Sequence, residues 1–196
     1  VLRGDAIKSD GKFIPTPGGN AYATDLLSQV NKMNQGTYLD EDLENAFPTD
    51  FCIGVAGYPE KHFEAPNLNT DLNYLKQKVD GGAEYIVTQM FFDNEKFFEF
   101  EKRCREIGIK VPIIPGLKPI TTKIQATVLP SIFHIDLPDA LANDLAKCKD
   151  NKEAKEVGIE WGIQQSKELK DKGVPVLHYY SMGKSTSVQK IAEGVF

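Results

Sequence analysis

Cysteine is scarce in this 196-residue sequence, and Cys52, Cys104 and Cys148 stand far apart with no CxxC pair. An odd number of separated cysteines argues against a disulfide framework and against a zinc site, so we expect a reducing, cytoplasmic location. Long apolar runs are also missing, because none approaches the roughly 18 residues that suggest a membrane-spanning helix. The sequence therefore predicts no association with a membrane.

An excess of basic residues is missing too, since 28 acids against 23 bases give a net charge of −5. This balance argues against a nucleic-acid partner, which favours a basic field. Neither GxxxxGK[ST] nor GxGxxG occurs, and the three histidines lack the spacing of metal ligands, so we expect no metal site. The start of the chain lacks the basic and apolar regions of a signal peptide. It is similar to the end of a strand, as if the chain were entered midway.

Short apolar runs alternate with amphipathic stretches along the whole chain. The predicted strands are Val1-Leu2, Cys52–Ala56, Tyr85–Thr88, Val111–Ile114 and Val176–Tyr179. The predicted helices are Ala21–Met33, Asn69–Gly82, a segment around residues 97–107, Glu153–Lys172 and Ser185–Phe196. Continuously apolar strands separated by helices are typical of a parallel sheet covered on both faces. The sequence thus predicts an α/β fold, with residues 1–196 as a single domain.

Two architectures fit this pattern. A five-stranded doubly wound sheet would be complete, whereas a (β/α)8 TIM barrel needs eight such units and about 250 residues. The pattern alone does not distinguish them. Two stretches are irregular: Lys8–Gly19 is predicted to be a surface loop, and the acidic stretch Gln35–Asp50 is predicted to carry a short helix before Pro48.

Candidate functional residues follow the predicted strands, where parallel α/β folds bind ligands. The tripeptide Arg3-Gly4-Asp5 suits a phosphate and a ligand N–H, or else it is a turn with a local salt bridge. Tyr58 offers a ring for stacking and His62 a hydrogen-bond donor, although a purely structural loop explains both equally well.

Further candidates lie on a helix and at two later strand ends. Asp71, Tyr74 and Lys78 share one helical stripe beside an apolar one, so they line a cleft or form a solvated surface. The amide of Gln89 both donates and accepts, which suits an amide-like heterocycle. Lys184 follows the last strand, and Ser185 is the predicted N-cap of the final helix.

Taken in order, these segments resemble the methylenetetrahydrofolate reductase family. The matching residues are Leu2-Arg3-Gly4-Asp5, Gly18-Gly19, Tyr22-Ala23, Asp25-Leu26, Ala56-Gly57-Tyr58-Pro59, His62, Glu64-Ala65, Asp71-Leu72, Leu75-Lys76, Lys78-Val79, Gly82-Ala83, Thr88-Gln89, Phe91-Phe92, Pro115-Gly116, Pro119 and His178-Tyr179-Tyr180. The resemblance implies a (β/α)8 barrel, of which this chain would supply strands four to eight. The first three strands and the family's general-acid glutamate would lie upstream.

The resemblance also implies an activity and its cofactors. NADH or NADPH would reduce bound FAD, which would then reduce 5,10-methylenetetrahydrofolate to 5-methyltetrahydrofolate. The partner would be a small folate substrate, while the sequence leaves assembly as a homo-oligomer open. The alternative is a non-catalytic fragment, or a nucleotide- or folate-binding module with an incomplete barrel.

Residue roles follow from the same resemblance. Those implied to bind FAD are Arg3, Gly4, Asp5, Tyr22, Ala23, Tyr58, His62, Ala65, Asp71 and Lys78. Asp5 is also the candidate catalytic residue, because a carboxylate near the flavin pyrimidine would disfavour the anionic reduced form and so tune hydride delivery. Gln89 is implied to bind the folate pterin.

The sequence departs from the family in three places. The common Leu-Asn-Arg appears as Met182-Gly183-Lys184, so the substrate contact expected of Lys184 has the charge but not the planar fork of arginine. Tyr74 and Gln77 differ on the side of the adenosine. The stretch Gln35–Asp50 is similar to an insertion.

Overall fold

The structure, a computed structural model, describes residues 1–4, 6 and 13–196. Its elements are α1 (Ala23–Asn34), β1 (Gly54–Gly57), α2 (Leu68–Asp80), β2 (Tyr85–Met90), α3 (Asn94–Glu106), β3 (Ile113–Leu117), α4 (Gln125–Phe133), α5 (Asp139–Lys147), α6 (Asn151–Asp171), β4 (His178–Tyr179) and α7 (Thr186–Val195). The α/β alternation predicted from the sequence is confirmed.

The four strands form one parallel sheet in the order β1-β2-β3-β4. Doubly wound sheets reverse their strand order at a switch point, as in the order 2-1-3-4-5. The described sheet has no such reversal, so each strand is added beside the previous one, as in an arc of a barrel. The five-stranded doubly wound alternative is therefore wrong for the described residues.

One face of the sheet packs on helices and the other does not. Val55, Ile86 and Ile113 lie in register across β1, β2 and β3, and all three are buried in a core shared with α2, α3 and α6. The next register row, Ala56, Val87 and Ile114, points to the opposite face and is half-buried. We call this side the open face. Because these residues are only half-buried, coverage of both faces stays a prediction.

Several predicted boundaries need correction. Val1 and Leu2 belong to no strand. The nitrogen of Val1 donates to the Gly54 oxygen of β1 at 2.6 Å, but one hydrogen bond does not make a ladder. Residues 35–50, all described, contain turns but no helix. Gly36, with φ of +81°, ends the helical path soon after α1. α4 and α5 were not predicted; they form a second core with α6 and the end of β2.

Candidate active site

Beside the carboxyl end of β1 lies a cleft of about 490 Å³, the size range of small-molecule sites. The N-terminal residues, the start of α1, the loop after β1 and one side of α2 form its walls. Its lining residues are Val1, Leu2, Arg3, Tyr22, Ala23, Thr24, Ala56, Tyr58, His62, Glu64, Ala65, Asp71, Tyr74, Gln77 and Lys78. Four separate segments of the sequence thus meet at one strand end.

The loop over residues 58–65 forms one wall through the rings of Tyr58 and His62. Their centroids lie 4.7 Å apart, edge to face. The backbone N–H of His62 donates to Oδ2 of Asp71 at 2.9 Å, which attaches the loop to α2. The N–H of Ala65 donates to the His62 oxygen at 3.0 Å and closes a turn. The wall is therefore preformed by contacts within the protein.

His62 presents a defined hydrogen-bonding pattern. Its Nδ1 accepts from the backbone N–H of Glu64 at 3.2 Å. Burial lowers the pKa of His62 below its usual 6.5, although the Glu64 and Asp71 carboxylates oppose this shift. The ring is thus neutral at pH 7, and with Nδ1 accepting, the hydrogen-bond pattern assigns the proton to Nε2. The imidazole can donate one hydrogen bond to a ligand acceptor.

α2 supplies a carboxylate and an ammonium group to the cleft. It begins after Asn67, whose side chain accepts from the Thr70 N–H at 2.9 Å as an N-cap. Asp71 and Lys78 lie seven residues apart and therefore on one face. The Lys78 ammonium donates to the Ala56 oxygen at 2.6 Å, and burial lowers its pKa while Asp71 opposes the shift. The predicted stripe of Asp71, Tyr74 and Lys78 lines the cleft rather than a solvated surface.

The N-terminal side of the cleft holds a second cation. The Arg3 guanidinium pairs with Glu64 at 2.5 Å and lies over the Phe13 ring, 4.8 Å from its centroid. Across the cleft, the backbone N–H of Tyr22 donates to Oδ2 of Asp25 at 2.8 Å, in the first turn of α1. Tyr22 is 64% exposed, so its ring is free to contact a ligand.

Not every residue proposed from the sequence lines the cleft. Asp5 lies outside the described residues. Gly4 is exposed, with open space where a Cβ would stand, and does not line the cleft. Gln89 lies two residues beyond Val87 on the open face, one strand away, and its side-chain oxygen accepts from the Met90 N–H at 2.9 Å.

Lys184 also lies outside the lining of the cleft. It is exposed in the turn after β4, where its N–H donates to the Ser181 oxygen at 3.0 Å. β4 is three strands from β1, which corresponds to about 14 Å across a flat sheet. The roles of Gln89 and Lys184 stay predictions, because the described residues bring neither to the cleft.

Some residues at the site had no assigned role in the sequence analysis. Thr24 lines the cleft, and Glu64 is the ion-pair partner of Arg3, 61 positions away in the chain. No local sequence pattern indicates such a distant pair. Among the described residues, no group of three metal-ligating side chains occurs. No helix in that part of the chain is both long and apolar enough to cross a membrane.

Comparisons with known proteins agree in one family. The family model described as "Methylenetetrahydrofolate reductase" matches residues 1–195. The chain is similar to "Methylenetetrahydrofolate reductase (NADH) 1" of Arabidopsis thaliana, with 37% identity over 205 residues that cover 100% of this chain and 32% of the relative. It is also similar to "5,10-methylenetetrahydrofolate reductase" of Escherichia coli K12, with 33% identity over 94% of this chain and 56% of the relative.

A solved structure shows a similar fold. It is an uncharacterized protein from Clostridium thermocellum, described as binding two copies of 5-methyl-5,6,7,8-tetrahydrofolic acid. The TM-score is 0.53 at 20% identity, covering 93% of this chain and 61% of that one. The present chain thus spans about a third of its plant relative and just over half of its bacterial one.

Proposed function

Because the chain belongs to the methylenetetrahydrofolate reductase family, we propose that the protein uses FAD and NADH or NADPH to reduce 5,10-methylenetetrahydrofolate to 5-methyltetrahydrofolate. The observation that carries this proposal is the convergence of Arg3, Tyr58, His62, Asp71 and Lys78 on one cleft. These residues come from separate segments, and each is one that the family resemblance associates with FAD.

For the fold, we propose that residues 1–196 are one domain, the later part of a closed (β/α)8 barrel. The sequential parallel order of β1 to β4 supports this, since barrel strands follow one another in that way. The open face also supports it. Ala56, Val87 and Ile114 are apolar yet half-buried, and further strands would cover them in a closed barrel, whose interior is packed with side chains.

The residues of the cleft fit a flavin dinucleotide. FAD carries an acceptor-rich ring system and a diphosphate, and the cleft offers the Lys78 ammonium, the Arg3 guanidinium and the N–H at Nε2 of His62. When bound, FAD would supply the hydride chemistry, and the protein would position and tune it. A carboxylate, Asp71, stands in the same cleft, where it accepts from the His62 N–H and keeps the loop beside α2.

The side chains would have different roles in binding the cofactor and the substrate. Tyr58 and His62 would bind and orient the ring system or its linker, with Ala65, Tyr22 and Ala23 closing the walls, and Lys78 would bind phosphate. Gln89 would hold the pterin with its amide, and Lys184 would contact the substrate. Asp5, next to Gly4 in the sequence, would tune hydride delivery. We place the protein in the cytosol, where its three free thiols would stay reduced.

The native protein, with whatever sequence adjoins these 196 residues, provides the test. We expect it to bind FAD, with absorbance at about 450 nm that NADH or NADPH bleaches and 5,10-methylenetetrahydrofolate restores. A folded native protein without flavin and without NAD(P)H oxidation would refute the proposal and favour a non-catalytic folate- or nucleotide-binding module.

The role of Asp5 can be tested separately. We expect Asp5→Asn to slow reduction of the folate more than it weakens FAD binding, because the substitution removes the charge and keeps the shape. Stopped-flow traces of the two half-reactions, with an FAD titration alongside, measure both effects. Equal losses in the two would assign Asp5 to binding alone.

A further inference from the structure

Lys61 has an unusual conformation within the loop after β1. Its φ is +90°, in the left-handed region that disfavours residues with a Cβ. Its ammonium group points back into its own loop. There it donates to the oxygens of Ala65 at 2.8 Å and His62 at 3.0 Å, with the Phe63 oxygen at 3.4 Å.

The ammonium group therefore lies at the centre of a ring of backbone carbonyls. Among the described residues, no carboxylate forms an ion pair with Lys61, and its ammonium group bonds to these backbone carbonyls instead. Charge-assisted hydrogen bonds of this kind are stronger than those between neutral groups. They offset the unfavourable φ and hold the turn over residues 62–65 closed.

That turn carries the cleft wall. His62, Glu64 and Ala65 line the cleft, whereas Lys61 itself does not. Three further hydrogen bonds depend on the same turn: the N–H groups of His62, Glu64 and Ala65 donate to Asp71, to Nδ1 of His62 and to the His62 oxygen. Opening the turn would therefore misplace the imidazole that presents its Nε2 proton.

We infer that Lys61 is a positioning residue for the cofactor, because its ammonium group orders the 62–65 turn that presents His62 to the cleft. This inference rests on the proposed function, since it assigns the cleft to FAD. It concerns a residue that is not among those lining the cleft. The ammonium group of Lys61 orders the binding wall before the ligand arrives, so the loop loses less conformational entropy on binding.

Three variants of the native protein separate the ammonium group from the backbone conformation. Lys61→Met keeps the length of the side chain without its charge, Lys61→Arg keeps a donor cation, and Lys61→Gly relieves the positive φ while removing the ammonium. Lys110→Met, at an exposed lysine between α3 and β3, is the matched control. Hydrogen exchange of the amides at 62, 64 and 65 is measured without FAD, and the dissociation constant for FAD is measured by flavin fluorescence.

In Lys61→Met and Lys61→Gly we expect exchange at the three amides to be faster, and FAD binding weaker, each by about tenfold, the effect of losing one or two charged hydrogen bonds. Lys61→Arg should recover much of both, and Lys110→Met should match the parent. Unchanged exchange and FAD affinity in Lys61→Met would overturn the inference while leaving the proposed function intact. A parent protein that binds no FAD would instead refute the proposed function itself.

Discussion

Glu60 buries one carboxyl oxygen, Oε1, without a hydrogen-bond partner, while Oε2 accepts from the Asp136 N–H at 2.6 Å. Burial raises the pKa of this carboxyl above its usual 4.5, although the hydrogen bond from Asp136 opposes the shift. An acid whose pKa is raised in the folded state stabilises the fold at low pH and loses that contribution as the pH rises through the raised pKa.

Glu60→Gln should abolish this pH dependence, because glutamine has no proton to lose. We expect the difference in the free energy of unfolding, variant minus parent, to increase between pH 4.5 and 7. Urea unfolding at several pH values measures it. Parallel stability profiles for the two proteins would show that Glu60 titrates normally.

At the residue scale, the sequence indicates which side chains are buried more readily than it indicates which side chains contact each other. Cys104, within the amphipathic segment around residues 97–107, is buried, which raises the pKa of its thiol to about 12. The sequence did not indicate the Arg3–Glu64 pair or the positive φ of Lys61, because both depend on how the loop folds back. Periodicity alone leaves open whether the candidate side chains line a cleft, and the resemblance to the family adds the prediction that they bind a cofactor.

At the scale of elements, the side chain of Tyr180, the residue after β4, packs across β3. Tyr180 crosses Gly116 to donate from its hydroxyl to the Thr88 oxygen at 2.8 Å, and the Gly116 N–H donates to Oγ1 of Thr88 at 2.9 Å. A Cβ on Gly116 would stand 2.7 Å from the Tyr180 ring and still closer to the Thr88 oxygen. The close approach of β2, β3 and Tyr180 therefore requires glycine.

We expect Gly116→Ala to lower the free energy of unfolding by about 2 kcal/mol or more, because backbone and ring cannot both move aside. Gly4→Ala is the control for stability, since nothing lies within 4 Å of a Cβ there. Chemical denaturation of both variants provides the comparison. A Gly116→Ala protein as stable as the control would mean that the sheet relaxes freely.

α2 depends on its N-cap as well as on its apolar face. Asn67→Ala removes the acceptor for the Thr70 N–H, and we expect a loss of about 1 kcal/mol in unfolding free energy. Ser185, before α7, makes no such side-chain hydrogen bond, so Ser185→Ala should change little. The prediction that Ser185 is the N-cap of α7 is confirmed, although its side chain makes no capping hydrogen bond. Equal losses in both variants, measured by thermal unfolding, would contradict this account of the caps.

Strands and long helices are predictable because the apolar runs of the strands are continuous and the apolar stripes of the helices are regular. The predicted strand at Tyr85–Thr88 becomes Tyr85–Met90, and the predicted helix Glu153–Lys172 becomes Asn151–Asp171. α4 and α5 have nine residues each, and α4 contains Pro130, so the sequence patterns that would indicate these two helices are weak. The acidic stretch 35–50 is held instead by contacts to Asn34, whose side chain bonds Thr49 and the Phe51 backbone.

At the scale of the whole molecule, the sheet has an apolar open face and an edge at β4. Unpaired edges and uncovered apolar faces favour association. Produced as these 196 residues alone, the chain should self-associate and should not reduce the folate. Light scattering during size-exclusion chromatography measures its mass. A monomer that turns over substrate would contradict the proposal that further strands complete the barrel.

The proposed role of the cleft beside β1 as the cofactor site underlies the other proposals. An experimental structure of the native protein with FAD tests it most directly. We predict the cofactor in contact with Tyr58, His62 and Lys78, with additional strands covering Ala56, Val87 and Ile114. FAD bound elsewhere, or a cleft filled by the protein's own side chains while the protein holds FAD, would contradict it.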